Sequence, residues 1–311
     1  MRRAASSTPF SPKTPRRTLD RVAGSEPECS RARGAALKIL VSADMEGATG
    51  VTWPADVEPG SPQWQRFRVL FNGDVNAAVA GLFDGGATEV LVNEAHSNMR
   101  NLLLEDLDER ADLLTGRHKT LSMMEGVDAD VDGVVFIGYH AGAGRDGILS
   151  HTYLGNSITG VFLDGDPASE GWLNAALADE YGVPVLLVTG DDHTCDDAAA
   201  YAPDCQRVAV KKAVSRYAAV CHPPTRTGKL IRAAAVASMA RAGHRTGVVR
   251  PHRVTVEFDA THLALAATAV PTVERTGARA VGYDAGSMRD AMTCFKTLTY
   301  VVDGAIEDGF G

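Results

Sequence analysis

The sequence lacks the cysteine patterns of a disulfide-rich or zinc-ribbon protein. Its five cysteines are odd in number and widely scattered, and no two of them form a CxxC pair. Such usage argues against a disulfide framework and against a zinc site built from thiolates. We therefore expect a protein of the reducing cytoplasm.

Long hydrophobic runs are also missing. No apolar stretch approaches the roughly 20 residues that cross a bilayer, and the start of the chain lacks the apolar centre of a signal peptide. Residues 1–36 are instead rich in Ser, Pro and Arg, so they cannot bury enough surface to offset their ordering entropy. We expect a disordered leader there, either a targeting extension or the product of a start codon placed too early.

Basic surface is scarce outside this Arg-rich leader. The formal net charge is −8, and the body of the chain shows neither a basic stripe nor basic residues interleaved with aromatics. Nucleic-acid binding depends on neutralising phosphates, so we expect no nucleic-acid partner and, given the missing apolar runs, no membrane partner. The pair Lys211-Lys212 is interpreted as a solvated surface.

From Leu37 onward, short apolar runs alternate with longer helical segments. The predicted strands cover residues 38–41, 89–92, 134–137 and 183–188, and the predicted helices cover 63–83 and 169–181. Near-continuous apolar runs are typical of strands buried on both faces. The order predicts a Rossmann-like, three-layer α/β domain with a mostly parallel, doubly wound sheet over residues 37–222.

The pattern changes at the pair Pro223-Pro224. A predicted helix over 225–242 is followed by strands over 253–258 and 278–283 and by a helix that begins near Ser287. The proline pair marks a plausible boundary. We expect residues 223–311 to form a smaller α+β domain.

Carboxylates and imidazoles stand directly after the predicted strands. The four strand ends read Ser42-Ala43-Asp44-Met45-Glu46-Gly47, Asn93-Glu94-Ala95-His96-Ser97, Gly138-Tyr139-His140 and Gly190-Asp191-Asp192-His193. Ligands of open α/β sheets bind beyond the carboxyl ends of the strands. Carboxylates and imidazoles without thiolates suit Zn²⁺, with Mn²⁺, Co²⁺ and Fe²⁺ as alternatives, so the sequence predicts a metal site at this edge.

Some of these residues have two interpretations. One interpretation of Asp191, Asp192 and His193 is that they orient a ligand histidine through a hydrogen bond. The other is that they cap the next helix. Asn93 and Glu94, together with Ser97, either support His96 or make ordinary loop hydrogen bonds.

The strand-end segments resemble the DppA-type D-aminopeptidase family, because Ser42 to Gly47 matches its SxDxEG signature. The similarity extends from about Lys38 to about Leu230 and is only general from Pro251 onward. It passes through Val90 to Ser97, Ser122 to Gly126, Gly138 to Ala141, Ser150-His151-Thr152, Leu173-Asn174-Ala175 and Val188 to Asp192.

The resemblance implies a two-zinc site and a reaction. Two zinc ions would be held by five ligands, with Asp44 as the bridge: Asp44, Glu46, His96, His140 and Glu170. His151 matches the catalytic histidine of the family. We expect it to act as a base toward the zinc-activated water and then to protonate the leaving amine, although a nucleophilic role stays open.

The same resemblance implies the substrates and the assembly. The expected substrates are short peptides with an N-terminal D-amino acid, such as D-Ala-D-Ala. The family forms ring-built homo-oligomers of up to ten subunits, so we expect self-association.

Two other functions stay open. Another binuclear metallohydrolase, an amidase or a phosphoesterase, could use similar ligands, although Arg and Lys residues for holding phosphate are sparse. A non-catalytic peptide- or metal-binding protein of a dipeptide transport system could keep the fold without turnover. The complete ligand set and His151 argue against that second alternative.

Overall fold

The structure, a computed structural model, describes residues 36–127, 130–243 and 247–307. The expected disordered leader lies outside these ranges except for Ala36, so it stays a prediction. Every helix in the described ranges falls short of the length or the apolarity that crossing a membrane requires.

Strands and helices alternate through most of the chain. In chain order the strands are β1 (Lys38–Ala43), β2 (Glu89–Glu94), β3 (Ala111–Leu114), β4 (Gly133–Ile137), β5 (Ile158–Leu163), β6 (Asp166–Pro167), β7 (Val185–Asp191), β8 (Gln206–Ser215), β9 (Ala218–Cys221), β10 (His252–Phe258), β11 (Glu274–Arg275) and β12 (Ala280–Ala285). The α-helices are α1 (Pro54–Val57), α2 (Pro62–Asp84), α3 (Glu170–Glu180), α4 (Asp192–Tyr201), α5 (Pro224–Ser238), α6 (Thr261–Ala267) and α7 (Met288–Asp303). Short 3-10 turns lie at Leu104–Asp106, Ser122–Met124 and Met239–Arg241.

The first sheet has seven strands in the order β3-β2-β1-β4-β7-β8-β9. All of its pairings are parallel except that of β8 with the edge strand β9. The predicted Rossmann-like, mostly parallel α/β arrangement is therefore confirmed.

The register of this sheet brings the strand ends together. Ala43, the last residue of β1, lies opposite Glu94 of β2 and Ile137 of β4. The three strands therefore end at the same level. The residues that follow them share one edge of the sheet, which explains how side chains distant in sequence meet.

Both faces of the first sheet are buried, as its apolar runs predict. Along β1, Ile39 and Val41 belong to a core that includes residues of α2 and α5, whereas Leu40 belongs to a second core that includes residues of α3 and α7. Successive side chains of a strand point to opposite faces, so each strand contributes to both cores.

A second, antiparallel sheet has the order β11-β12-β10-β5-β6 and packs against α6 and α7. Two strands of this second sheet, β5 and β6, precede residue 222. α5 follows residue 222 but packs against α2, a helix that lies on the first sheet. The domain boundary after residue 222 stays a prediction.

The long helix α2 begins and ends at residues suited to those positions. The Ser61 side chain accepts the N–H of Trp64 at 2.9 Å, and Pro62 occupies the first turn, where no N–H is needed. Gly85 follows the helix, and Gly86 adopts a positive φ of 105° that glycine tolerates well.

Candidate metal centre

Two glycines allow the ends of β1 and β4 to approach each other closely. Gly47 donates its N–H to the Gly138 carbonyl at 2.7 Å, and a Cβ on Gly47 would lie 1.8 Å from the Tyr139 carbonyl oxygen. A Cβ on Gly138, whose φ is +71°, would lie 2.0 Å from the Asp44 carbonyl oxygen. Larger residues do not fit at either position without a backbone shift. The approach brings the acidic residues after β1 beside the histidine after β4.

A buried lysine holds the chain after β1. The Lys211 ammonium donates to the carbonyls of Glu46, Ala48 and Val51 at 2.7, 2.9 and 2.7 Å. Burial lowers the pKa of Lys211 to about 8. The predicted solvated position is therefore wrong for Lys211, although Lys212 is exposed.

Asp44 lies between two groups of potential ligands. His96 Nδ1 is 2.9 Å from Glu46 Oε2 and 3.5 Å from Asp44 Oδ1. His140 Nε2 is 3.3 Å from Asp44 Oδ2 and 3.6 Å from Glu170 Oε1. In each group, one ligand atom from every residue lies within 4.8 Å of the others. Asp44 thus directs one oxygen toward each histidine, a geometry that a bridging carboxylate requires.

Main-chain carbonyls orient the imidazoles. His96, His140 and His151 each direct one ring nitrogen at a carbonyl oxygen. The distances are 2.8 Å from His96 Nε2 to Val57, 3.0 Å from His140 Nδ1 to Ala141 and 2.8 Å from His151 Nδ1 to Leu149. With the N–H placed there, the second nitrogen of each ring presents a lone pair to the site, as metal ligands do.

Several atoms of the cluster lack hydrogen-bond partners. Asp44 Oδ2 and His140 Nε2 are buried and have no hydrogen-bond partner among the described residues, and the buried Glu46 Oε2 lies 2.9 Å from His96 Nδ1, itself a potential ligand. Buried polar atoms are normally paired, because an unpaired one pays its full desolvation cost. Acceptor atoms that converge without donors fit a bound cation.

Electrostatics in the cluster also favour positive charge. Burial alone would lower the pKa of His140, but the negative charges of Glu170 and Asp44 raise it to about 10. Burial alone would raise the pKa of Glu46, yet the positive charge of His96 holds it well below its usual range. The carboxylates therefore recruit protons onto the imidazoles, a role that metal cations can take over.

Glu170 reaches the cluster from the first residue of α3. The Ser169 side chain caps this helix by accepting the N–H of Trp172 at 3.1 Å. Glu170 Oε1 accepts the N–H of Tyr153 at 2.7 Å, which connects the helix to the segment that carries His151. Burial raises the pKa of Glu170 to about 7.

His151 lies beside the two groups. Its Nε2 is 3.8 Å from Glu46 Oε1 and 3.9 Å from Glu170 Oε1, and its ring stacks on His140 with centroids 4.2 Å apart. Glu46, His140 and His151 form a third, overlapping group of potential ligands. Burial and the positive charge of His140 lower the pKa of His151 to about 4, which keeps the imidazole neutral at pH 7.

Two cavities adjoin this cluster. The first has a volume of about 570 Å³, is lined by all five predicted ligands and by His151, and extends to Arg117 and Lys296. The second has a volume of about 610 Å³ and is lined by polar residues that include Arg145 and His193. His151 lines both cavities, so it can contact ligands on two sides.

Asp191, the last residue of β7, and the two residues after it do not join the cluster. Asp191 Oδ1 accepts the N–H and the hydroxyl of Thr194 at 2.8 and 2.7 Å, and its Oδ2 accepts the N–H of Ile148 at 2.6 Å. Asp192 accepts the N–H of Ala213 at 2.8 Å. Of the two interpretations, the structure supports the helix cap for Asp191, and it places His193 in the second cavity.

The residues before His96 shape its loop. The buried Glu94 carboxylate accepts the N–H groups of Asn101 and Leu102, and the Asn101 side chain donates to the His96 carbonyl at 2.8 Å. Asn93 accepts a hydrogen bond from the Lys119 ammonium. Glu94 therefore supports the His96 loop through Asn101, whereas the hydrogen bond of Asn93 does not involve His96.

The fold and the cluster together define an α/β protein with a buried, carboxylate- and imidazole-lined centre whose donor atoms could hold metal ions. A family model described as D-aminopeptidase matches residues 37–297. The D-aminopeptidase of Bacillus subtilis (strain 168) is 34% identical over 266 residues, which cover 85% of this chain and 97% of that protein.

A solved structure agrees with this match. Zn-dependent D-aminopeptidase DppA from Bacillus subtilis, described as a self-compartmentalizing protease, is similar with a TM-score of 0.82 and 33% identity. The similarity covers 86% of this chain and 98% of that chain. The chain therefore belongs to the D-aminopeptidase family and is an enzyme of the aminopeptidase class, as the sequence resemblance implies.

Proposed function

We propose that this enzyme uses two zinc ions to remove an N-terminal D-amino acid from short peptides of the D-Ala-D-Ala type. The observation that carries the two-ion proposal is the position of Asp44, which belongs to two ligand groups and directs one oxygen toward each histidine. The zinc dependence and the D-residue preference rest on the similarity to Zn-dependent D-aminopeptidase DppA.

The chemistry of the donor set fits zinc. Three carboxylates and two imidazoles converge without a thiolate, and several of their buried atoms have no hydrogen-bond partner in the described ranges. In the proposed arrangement Asp44 would be shared by the two sites, Glu46 and His96 would complete one ligand group, and His140 and Glu170 would complete the other. Bound zinc would supply a Lewis acid for the scissile carbonyl and would lower the pKa of the attacking water.

His151 is the proposed base. Its Nδ1–H is held by the Leu149 carbonyl and its ring by stacking on His140, so Nε2 faces the cluster with a lone pair. A neutral imidazole in this position accepts a proton from the attacking water and returns it to the leaving amine. Its position beside the five predicted ligands suits this role.

We also propose that the enzyme forms a homo-oligomer. The support is the description of the Bacillus subtilis DppA structure as a self-compartmentalizing protease. The ring-built assembly of up to ten subunits and the cytoplasmic location stay predictions. Light scattering of the purified protein tests the oligomer, and a monomer at micromolar concentration would contradict it.

The decisive experiment combines metal analysis with activity. We expect about two zinc ions per chain, release of D-alanine from D-Ala-D-Ala, and much slower hydrolysis of L-Ala-L-Ala. Chelation should abolish the activity, and added zinc should restore it. Hydrolysis of a phosphate ester without hydrolysis of either peptide would instead favour a phosphoesterase and sink the proposal.

A further inference from the structure

Two cations line the same cavity as the candidate metal ligands. Arg117 lies in the loop after β3, and Lys296 lies on α7, the last helix of the described ranges. The fold therefore brings two distant segments to one wall of the cavity. The ligand cluster forms another part of its lining.

Neither cation has a salt-bridge partner in the part of the chain that the structure describes. Arg117 and Lys296 form no ion pair with a described carboxylate, and Asp303, which lines the same cavity, pairs with neither. The Lys296 ammonium donates to the Lys119 carbonyl, and Arg117 Nη1 reaches the Ser97 carbonyl only at 3.5 Å. Both side chains keep donors that can bind an anion.

The two cations also lie close enough to repel each other. Burial lowers the pKa of Lys296, Glu125 opposes that shift, and the positive charge of Arg117 adds to it. An anion bound between the two side chains would relieve this repulsion. The wall they form is therefore electrostatically suited to an anionic group.

We propose that Arg117 and Lys296 bind the C-terminal carboxylate of the peptide whose N-terminal bond is cleaved at the metal ligands. A guanidinium matches a carboxylate with two parallel hydrogen bonds, and an ammonium adds a point charge. The inference rests on the proposed function and narrows its substrates to short peptides that carry a free carboxylate.

The test compares D-Ala-D-Ala with its C-terminal amide. Wild-type enzyme should show a kcat/KM about 10- to 100-fold higher for the free acid, the range expected for hydrogen bonds to a charged group. Arg117→Gln and Lys296→Met should each lose most of this preference. Zinc content and circular dichroism like those of the wild type show that the variants are folded.

Two further variants serve as controls. Lys296→Arg keeps the charge and should keep the preference. Arg145→Gln removes a cation from the second cavity and should also leave the preference intact. Loss of the preference in Arg145→Gln would place the carboxylate in the second cavity and overturn the proposal, as would equal wild-type rates on acid and amide.

A binding measurement separates this proposal from the proposed function. Calorimetry with a non-hydrolysable, reduced-bond analogue of D-Ala-D-Ala gives Kd for its acid and amide forms without turnover. The acid should bind more tightly than the amide to the wild-type enzyme, and Arg117→Gln and Lys296→Met should both lose this difference. That result would support the carboxylate site even if the enzyme hydrolysed neither peptide. Equal Kd values for the two forms would overturn it.

Discussion

Asp44 at the end of β1 and Asp191 at the end of β7 are buried carboxylates of the same parallel sheet, yet their oxygens meet different partners. Both oxygens of Asp191 accept hydrogen bonds, from Thr194 and from Ile148. Asp44 Oδ1 accepts the N–H of Met45, whereas Oδ2 faces His140 and has no hydrogen-bond partner in the described ranges.

The difference separates a structural carboxylate from a candidate metal ligand. Hydrogen-bond donors compensate both oxygens of Asp191 for their burial, so this carboxylate needs no further partner. The burial of Asp44 is not compensated in the same way, because its Oδ2 faces an imidazole whose other ring nitrogen lies against a main-chain carbonyl. Such an arrangement favours a cation, and the following predictions test the contrast between the two strand ends.

The largest expected effect follows from removing His96, which follows β2, or His140, which follows β4. His96→Ala and His140→Ala should each lower metal occupancy, because each removes a member of one ligand group. Their loss of turnover should exceed the about 10²–10⁴-fold loss typical of a missing general base. His193→Ala, after β7, should keep full occupancy, and metal analysis beside peptide assays checks all three. Equal metal occupancy in the three variants would show that His96 and His140 contribute no more to metal binding than His193 does.

Replacement of the proposed base should separate chemistry from metal binding. His151→Ala should keep its metal content and lose about 10²–10⁴-fold in kcat, because the proton acceptor is gone. The measurement is kcat together with zinc per chain. A loss of zinc comparable to that of His140→Ala would make His151 a ligand, in line with the third group of potential ligands.

Removing the buried ammonium should loosen the chain after β1. Lys211→Met leaves the carbonyls of Glu46, Ala48 and Val51 without their donor, which should cost about 2–4 kcal/mol in the free energy of unfolding. Denaturant titration measures this loss, and Lys212→Met at the exposed neighbour is the matched control. Similar stabilities of the two variants would show that the three hydrogen bonds contribute little.

The smallest effect is expected at the strand end that lacks ligands. Asp191→Ala removes the cap of α4, which should cost about 1–2 kcal/mol in the free energy of unfolding and leave the zinc content unchanged. Thermal or denaturant unfolding with metal analysis checks both parts. A loss of zinc would mean that Asp191 supports the cluster after all.

Much of the fold follows from the apolar runs. The predicted strand over 134–137 and the predicted helix over 63–83 each lie within one residue of β4 and α2. β5 was not predicted, because its run is short and interrupted by Gly160. Such a run shows neither a continuous apolar stretch nor a clear alternation.

Prediction of the site depended on where each residue stands. Asp44, His96 and His140 follow strands, so the general rule for open sheets points to them. Glu170 opens a helix, where a carboxylate is favoured by the helix dipole in any case, and only the family resemblance singled it out. The burial of Lys211 was not predicted. The buried Val208 and Val210 set an alternation that would expose residue 211, and a register irregularity in the β7–β8 pairing breaks this alternation.

The central claim is that Asp44 bridges two zinc ions, and the most direct test counts the ions bound by Asp44→Asn and by Glu46→Gln. Asparagine offers one neutral acceptor oxygen, so Asp44→Asn should weaken the binding of both zinc ions together. Glu46→Gln should weaken the binding of chiefly one ion. A zinc titration followed by calorimetry gives the number and affinity of ions per chain. Two zinc ions bound to Asp44→Asn with wild-type affinity would contradict the bridging role.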